Sequence, residues 1–316
     1  MATMSIVLPD RLDEQRKLGP EWARWLDRVP RLFAQLLDEW VLARAGDDVW
    51  HGLCSLVVPV ITDAGGEAVL KIAFDGDDES VHEGLALQRW HGDGAVRLLR
   101  ADPHRRALLL ERLDRRDLTA VWDLQACKIV AGLYPRLHTP AIPQLATVTS
   151  YVSRWLDELA AQPREMPIPP RFRDQALACG RDLIIDPASV GRIIHGDLHY
   201  ANVLATPAGL GPERGQWLAI DPKPMSGDPH YELAPMLWNR FDELAGDVRD
   251  GVRRRFHALV EHAGLDEDRA RDWVVVRMVI NAHWSVQDAQ RGRRRLTADE
   301  HAWITTCIAI TKAVQH

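Results

Sequence analysis

Long apolar runs, paired cysteines, surplus positive charge and internal repeats are all missing from this chain of 316 residues. No stretch approaches the roughly 20 consecutive apolar residues that a membrane helix needs. The opening Met1 to Asp10 lacks the basic start and apolar middle of a secretory leader, so a cytoplasmic protein without a membrane partner is the expectation. The four cysteines, Cys54, Cys127, Cys179 and Cys307, are isolated, with neither metal-ligand spacing nor the density of a disulfide scaffold. They read as core thiols in a reducing compartment. With 39 Lys and Arg against 45 Asp and Glu, the formal net charge is −6. That balance counts against a nucleic-acid binder working by phosphate neutralisation and suits a cationic small partner. The arginine runs at 253–255 and 291–295 lack interleaved aromatics and read as solvated helix faces. Tyrosine is scarce at four residues, whereas twelve tryptophans are scattered over both halves, as core and interlobe packing requires.

What is present suffices for a large core. At 46% hydrophobic the chain exceeds the usual size of one compact domain, and two lobes follow. Residues 12–40 have helical periodicity, which Pro30 should split into two helices. Residues 57–60 and 67–72 are rich in β-branched and apolar side chains and flank Thr62-Asp63-Ala64-Gly65-Gly66, a hairpin signal. A helix is expected over 77–90, then strands over 96–99 and 107–110 around the turn-prone Asp102-Pro103-His104. Together these make a small, mostly antiparallel lobe. Beyond Asp114 the pattern turns helical, over 118–137, 150–160 and 172–182, with a proline-rich break at 163–170. From Tyr231 to the end it is largely helical, interrupted at 264–266.

The sharpest feature lies in the second half. Ile194-His195-Gly196-Asp197-Leu198-His199-Tyr200-Ala201-Asn202 is followed, after a short hairpin-like stretch, by Leu218-Ala219-Ile220-Asp221-Pro222. Phosphoryl transfer needs a carboxylate beside the attacking hydroxyl and hard oxygen ligands that hold Mg2+ against the transferring phosphates. Asp197 is the candidate for the first role. Asn202, in the same loop, and Asp221, at the end of an apolar strand pattern, are candidates for the metal pair. Ile193, Ile194, Val203 and Leu204 would anchor the loop through short strands, because a catalytic loop works only on a rigid support. Lys71 sits inside the apolar strand pattern Ala68-Val69-Leu70-Lys71-Ile72, where an unpaired ammonium is costly and a partner is required.

The run His195 to Leu204, with Ile220-Asp221 downstream, resembles the aminoglycoside phosphotransferases, which are relatives of protein kinases. The resemblance is closest to the streptomycin 6-kinase and hydroxyurea phosphotransferase branch. Ser55-Leu56-Val57-Val58-Pro59-Val60, the lysine strand, Leu108-Leu109-Leu110-Glu111-Arg112-Leu113 and Trp217-Leu218-Ala219-Ile220-Asp221-Pro222-Lys223-Pro224 are similar to that branch and occur in its order. The resemblance implies an α+β, bilobal, protein-kinase-like fold. A small antiparallel-sheet lobe over 1–113 would hold the nucleotide, and a mostly helical catalytic and acceptor lobe would span 114–316, with ATP between them. It further implies that Asp197 is the catalytic carboxylate, that Asn202 and Asp221 ligate Mg2+, and that Lys71 grips the nucleotide phosphates. Glu83 matches the helix glutamate that pairs with this lysine, with Glu79 one turn earlier competing. Where protein kinases carry Gly-x-Gly-x-x-Gly, the stretch Asp48 to Ser55 has one glycine, so the phosphates are expected under a turn near Gly52 and Ser55. Glu111 and Leu113 stand at the interlobe hinge, where adenine would meet main-chain groups.

Other polar residues carry weaker signals. His195 reads as a structural hydrogen-bonding residue that fixes the loop. Asp228 and Glu232, in Gly227-Asp228-Pro229-His230-Tyr231-Glu232-Leu233-Ala234, are candidates for acceptor contact, against a helix cap and hydrogen bonds that order the catalytic loop. Helical spacing puts Trp284 and Asp288 on one face, an aromatic wall and a carboxylate suited to an amino or guanidino sugar; a core tryptophan beside a solvated aspartate explains the same letters. The expected activity is aminoglycoside O-phosphotransfer, with streptomycin at its 6-hydroxyl first, then hydroxyurea or another small acceptor of the same branch. A kinase-shaped binding protein without turnover is the alternative from another class. Antibiotic resistance is the expected role, and a monomer or weak dimer the expected state.

Overall fold

The computed structural model describes residues 6–163 and 166–315. Met1 to Ser5, the middle of the proline-rich break and His316 lie outside the described residues, so the expectation about a leader falls partly outside them. The chain divides into two compact units, one of the residues up to Arg115 with Ala205–Lys223, the other of Arg116–Leu204 with Pro224 onward.

The first unit is built on an antiparallel sheet in the order Ala43–Arg44, Ser55–Ile61, Glu67–Ala73, Ala107–Glu111, Leu98–Asp102, with Trp50–His51 also paired to Ser55–Ile61. Gly65, at φ 79, and the Thr62–Gly66 backbone bond at 2.9 Å close the expected hairpin. Strand alternation sorts the side chains. Leu56, Val58 and Val60 on one strand and Ala68, Leu70 and Ile72 on the next are fully buried, in one apolar cluster with Trp25, Leu26, Val29, Phe33 and Leu36 of helix Pro20–Trp40. Each such aliphatic side chain contributes about 1.5–3 kcal/mol on burial.

That burial explains a departure from expectation, because Pro30 does not split the helix. An interior proline costs about 3 kcal/mol by removing an amide and crowding a carbonyl, yet the buried stripe continues on both sides of it and offsets the loss. The helix expected over 77–90 starts later, at Glu83, since Asp77 caps a separate turn, Asp78–Ser80. The strand expected from 96 begins at Leu98, because the preceding residues pair elsewhere: the Val96 amide donates to the Ala219 carbonyl and the Ala219 amide to that of Gly94, both at 2.9 Å. These bonds are why Ala205–Lys223 belongs to the first unit, whereas a division after Leu113 leaves it in the second.

The second unit is helical, with helices Asp123–Leu137, Val148–Ala160, Pro170–Ile185, Val248–Ala263, Glu267–Arg291 and Ala298–Ala313. Residues 118–137 are not one helix: Asp117 accepts the Thr119 amide and caps a short turn, Leu118–Ala120, before the helix proper. The break at 264–266 is present, where Gly264 takes φ 63 and Asp266 caps the following helix. That helix carries Val274, Val275, Val276, Met278, Val279 and Ile280, buried on all sides, as befits a helix central to its unit. An antiparallel ribbon, Arg192–Ile194 with Met225–Gly227, lies against it through Ile194 in a cluster with Trp273, Val276 and Ile280. Among the described residues no helix is long and apolar enough to cross a membrane.

Candidate active site

Lys71 points to the sheet face opposite Leu70 and Ile72, since successive side chains alternate. Its ammonium donates to both carboxylate oxygens of Glu83 at 2.7 Å and to Asp221 Oδ1 at 2.5 Å. Lys71 and Glu83 are buried, while the Asp221 side chain is 39% exposed. Burial alone would depress the ammonium, but the Asp221 and Glu83 charges outweigh it and hold the Lys71 pKa above its ordinary value. Burial pushes the Glu83 carboxyl up to about 7, with Lys71 opposing that rise. Asp221 sits in the left-handed region at φ 56, just past the strand Trp217–Ala219, a conformation that costs a non-glycine residue about 1 kcal/mol. Glu79 instead pairs with Lys223 at 3.3 Å, so the lysine's helix partner is Glu83.

Near the strand start, the Gly52 amide donates to the Ser55 carbonyl at 2.9 Å, and a Cβ on Gly52 would stand 2.8 Å from Ser55 Oγ. The Glu111 carboxylate accepts the Arg97 amide at 2.7 Å and both terminal nitrogens of Arg214, and Leu113 is buried. The Glu111 carboxylate is thus committed to protein partners.

In the second unit, strand Arg192–Ile194 delivers the loop that carries Asp197. His195 is fully buried and its Nδ1 accepts the Asp197 amide at 3.3 Å, a structural role. The Gly196 amide donates to Glu232 at 2.8 Å, and its carbonyl accepts from Arg277 at 2.5 Å. Asn202 donates its amide NH2 to the Asp197 carbonyl at 2.9 Å, which fixes the orientation of that amide within the loop. Tyr200 donates to Asp123 at 2.5 Å, and Asp123 also accepts from the fully buried Arg255 at 2.8 Å. The residues fit magnesium chemistry: Asn202 and Asp221 are hard oxygen donors, and Mg2+ is commonly held by one or two protein ligands plus substrate phosphates and water.

Asp228 and Glu232, the candidates after the metal loop, are both buried. Asp228 is 1% exposed and accepts from Trp273 Nε1 at 2.7 Å, Arg269 Nε at 2.6 Å and the His230 amide at 3.0 Å. Burial would raise its pKa, but the bonds from His230 and Trp273 hold it below the usual range. Glu232 is fully buried and serves Gly196, and burial pushes its carboxyl up to about 7 despite the Gly196 amide and Arg277. Both acids accept hydrogen bonds from within the protein. Trp284 packs edge-on against Trp155 and Tyr151 beside the apolar cluster, whereas Asp288 is 64% exposed and faces Arg291 at 3.9 Å. The shared helix face thus runs from half-buried to solvated.

Sequence reasoning missed Arg277 and Arg269, and it took the run 253–255 as solvated, whereas Arg255 is fully buried and donates to Asp123. Arg277 did leave a signal, a lone charge within an apolar stretch. An open groove lined by Lys128, Arg253, Arg254, His257 and Glu261 contains none of the candidate residues.

A family profile described as aminoglycoside/hydroxyurea antibiotic resistance kinase matches residues 39–289. The chain is 38% identical over 318 residues to the streptomycin 6-kinase of Streptomyces griseus, covering 97% of this chain and 98% of that protein. It is also 38% identical over 280 residues to the hydroxyurea phosphotransferase of Kitasatospora aureofaciens, covering 86% of this chain and 77% of the relative. Among solved structures, a choline kinase from Streptococcus pneumoniae matches with a TM-score of 0.60 at 12% identity, over 91% of this chain and 99% of that one, a likeness of fold. The fold is the bilobal kinase-like one, with a small antiparallel-sheet lobe and a largely helical lobe. The chain belongs to the aminoglycoside/hydroxyurea antibiotic resistance kinases and is a small-molecule phosphotransferase.

Proposed function

We propose that this kinase uses ATP and Mg2+ to phosphorylate streptomycin at its 6-hydroxyl, acting in the cytoplasm as a monomer or weak dimer, with antibiotic resistance as its role. The observation that carries the choice of acceptor is the end-to-end match to a streptomycin 6-kinase. The net charge of −6 suits a guanidino sugar.

In this reading Asp197 orients the acceptor hydroxyl and takes its proton as the oxygen attacks the γ-phosphorus in line. The bond to the β–γ bridging oxygen breaks and ADP departs. Lys71, held by Glu83, grips the nucleotide phosphates. The turn of Gly52 and Ser55 covers them, and adenine rests on the main chain at Glu111 and Leu113. Asn202 and Asp221 hold magnesium, whose charge stabilises the transferring phosphates. A second reading has a specific basis, because the hydroxyurea phosphotransferase matches at equal identity. Release of ADP should be measured with streptomycin, hydroxyurea and other amino sugars, with ATP or GTP, and with magnesium omitted. Streptomycin-dependent release with a 6-O-phosphorylated product is expected; its absence would reject the acceptor and leave the kinase assignment standing.

A further inference from the structure

Arg277 lies among Val274, Val275, Val276, Met278, Val279 and Ile280 in the central helix, where packing alone favours an aliphatic side chain. It is 9% exposed. Its Nη1 donates to the Tyr231 carbonyl at 3.0 Å and its Nη2 to the Gly196 carbonyl at 2.5 Å. The guanidinium also lies over the rings of Tyr231 and Trp238, with centroids at 4.3 and 5.0 Å. A buried cation is costly unless it is well partnered, and here two carbonyls accept from it while two ring faces lie against it.

The carbonyl it holds is a particular one. The Gly196 C=O and the Asp197 N–H belong to one planar peptide, so fixing that carbonyl fixes the plane from which the Asp197 side chain departs. The Asp197 amide of the same plane is taken by His195, and the Gly196 amide by Glu232. Gly196 accepts the imposed geometry because its φ of 80 suits a residue without a Cβ.

We propose that Arg277 is a positioning residue for phosphoryl transfer, orienting the Gly196–Asp197 peptide through its planar fork and thereby aiming the Asp197 carboxylate. This rests on Asp197 being the catalytic carboxylate. A lysine in its place keeps the charge but offers no rigid fork, so it cannot hold both carbonyls in one plane. Misplacement of a reacting group by about 1 Å costs on the order of 10²-fold in rate.

The test compares R277K, R277A, D197A and R271A, the last removing an arginine on the same helix that pairs with Glu267 and Asp268 near the surface. For each, kcat, the KM for ATP, ADP affinity and the melting temperature are measured. R277K is expected to lose on the order of 10–100-fold in kcat, with KM for ATP and ADP affinity within about two-fold and the protein folded, while R271A keeps wild-type kcat. Recovery of R277A turnover by millimolar ethylguanidinium would add support. If R277A does not fold, R277K decides. Full kcat in R277K, or a kcat loss matched by equal loss of ADP binding, overturns the inference. If D197A retains turnover, the reading of the site fails and this inference with it; if D197A is inactive and R277K is not, only the role of Arg277 falls.

Discussion

Lys71 is fixed through its own charged atom, which donates to Glu83 and Asp221, whereas Asp197 is fixed through the peptide groups around it by His195, Glu232, Arg277 and Asn202. In the first arrangement, removing one charge leaves its partners uncompensated beside a buried sheet face, so folding and chemistry are tied together. In the second, the restraint falls on the backbone that carries the residue. The difference teaches that the lysine cluster and the Asp197 loop should fail in different ways.

The largest effect is expected from Asp197→Ala, which should lower kcat by about 10²–10⁴-fold while ADP affinity and melting temperature stay near wild type. A large fall in melting temperature would break the comparison. Next comes Lys71→Met, expected to cost about 3–5 kcal/mol in denaturant unfolding, because it leaves Glu83 buried without its cation. Adding Glu83→Leu should restore much of that stability and none of the turnover. Restored turnover would show that the pair is structural only.

A smaller and pH-dependent effect belongs to Glu232→Gln. Burial pushes the folded carboxyl up to about 7 from its ordinary 4.5. Its contribution is therefore fully present below pH 4.5 and is lost as pH rises through 7. Glutamine mimics the protonated acid at every pH. Melting curves should show the variant gaining on the wild type between pH 5 and pH 8, and a constant gap would contradict the raised carboxyl. The smallest effect is expected from Asp288→Asn, where an exposed carboxylate is replaced: stability should change by less than about 0.5 kcal/mol. A rise in the KM for streptomycin would return Asp288 to the acceptor site.

The kinase-like family was legible because residue type and spacing in the loop carry it, and the roles of Asp197, Asn202 and Asp221 belong to the proposed function. Lys71 was legible because an ammonium in an apolar strand needs a partner. Which glutamate answers it was open, since that depends on where the helix starts, and the cap at Asp77 delays the start to Glu83. Pro30 misled because the local cost of proline is plain in sequence, whereas the buried stripe that offsets it is tertiary. Arg277 eluded the reading for a related reason. Its partner carbonyl is 81 residues away, and backbone acceptors look alike in every sequence. Asp228 and Glu232 were ambiguous because an acid in a short turn shows nothing of its burial.

The contact between Lys71 and Asp221 joins the sheet to a segment 150 residues further along the chain. Asp221 shares with Glu83 the task of keeping a buried ammonium charged, so a substitution at the distant segment reaches the core of the sheet lobe through one side chain.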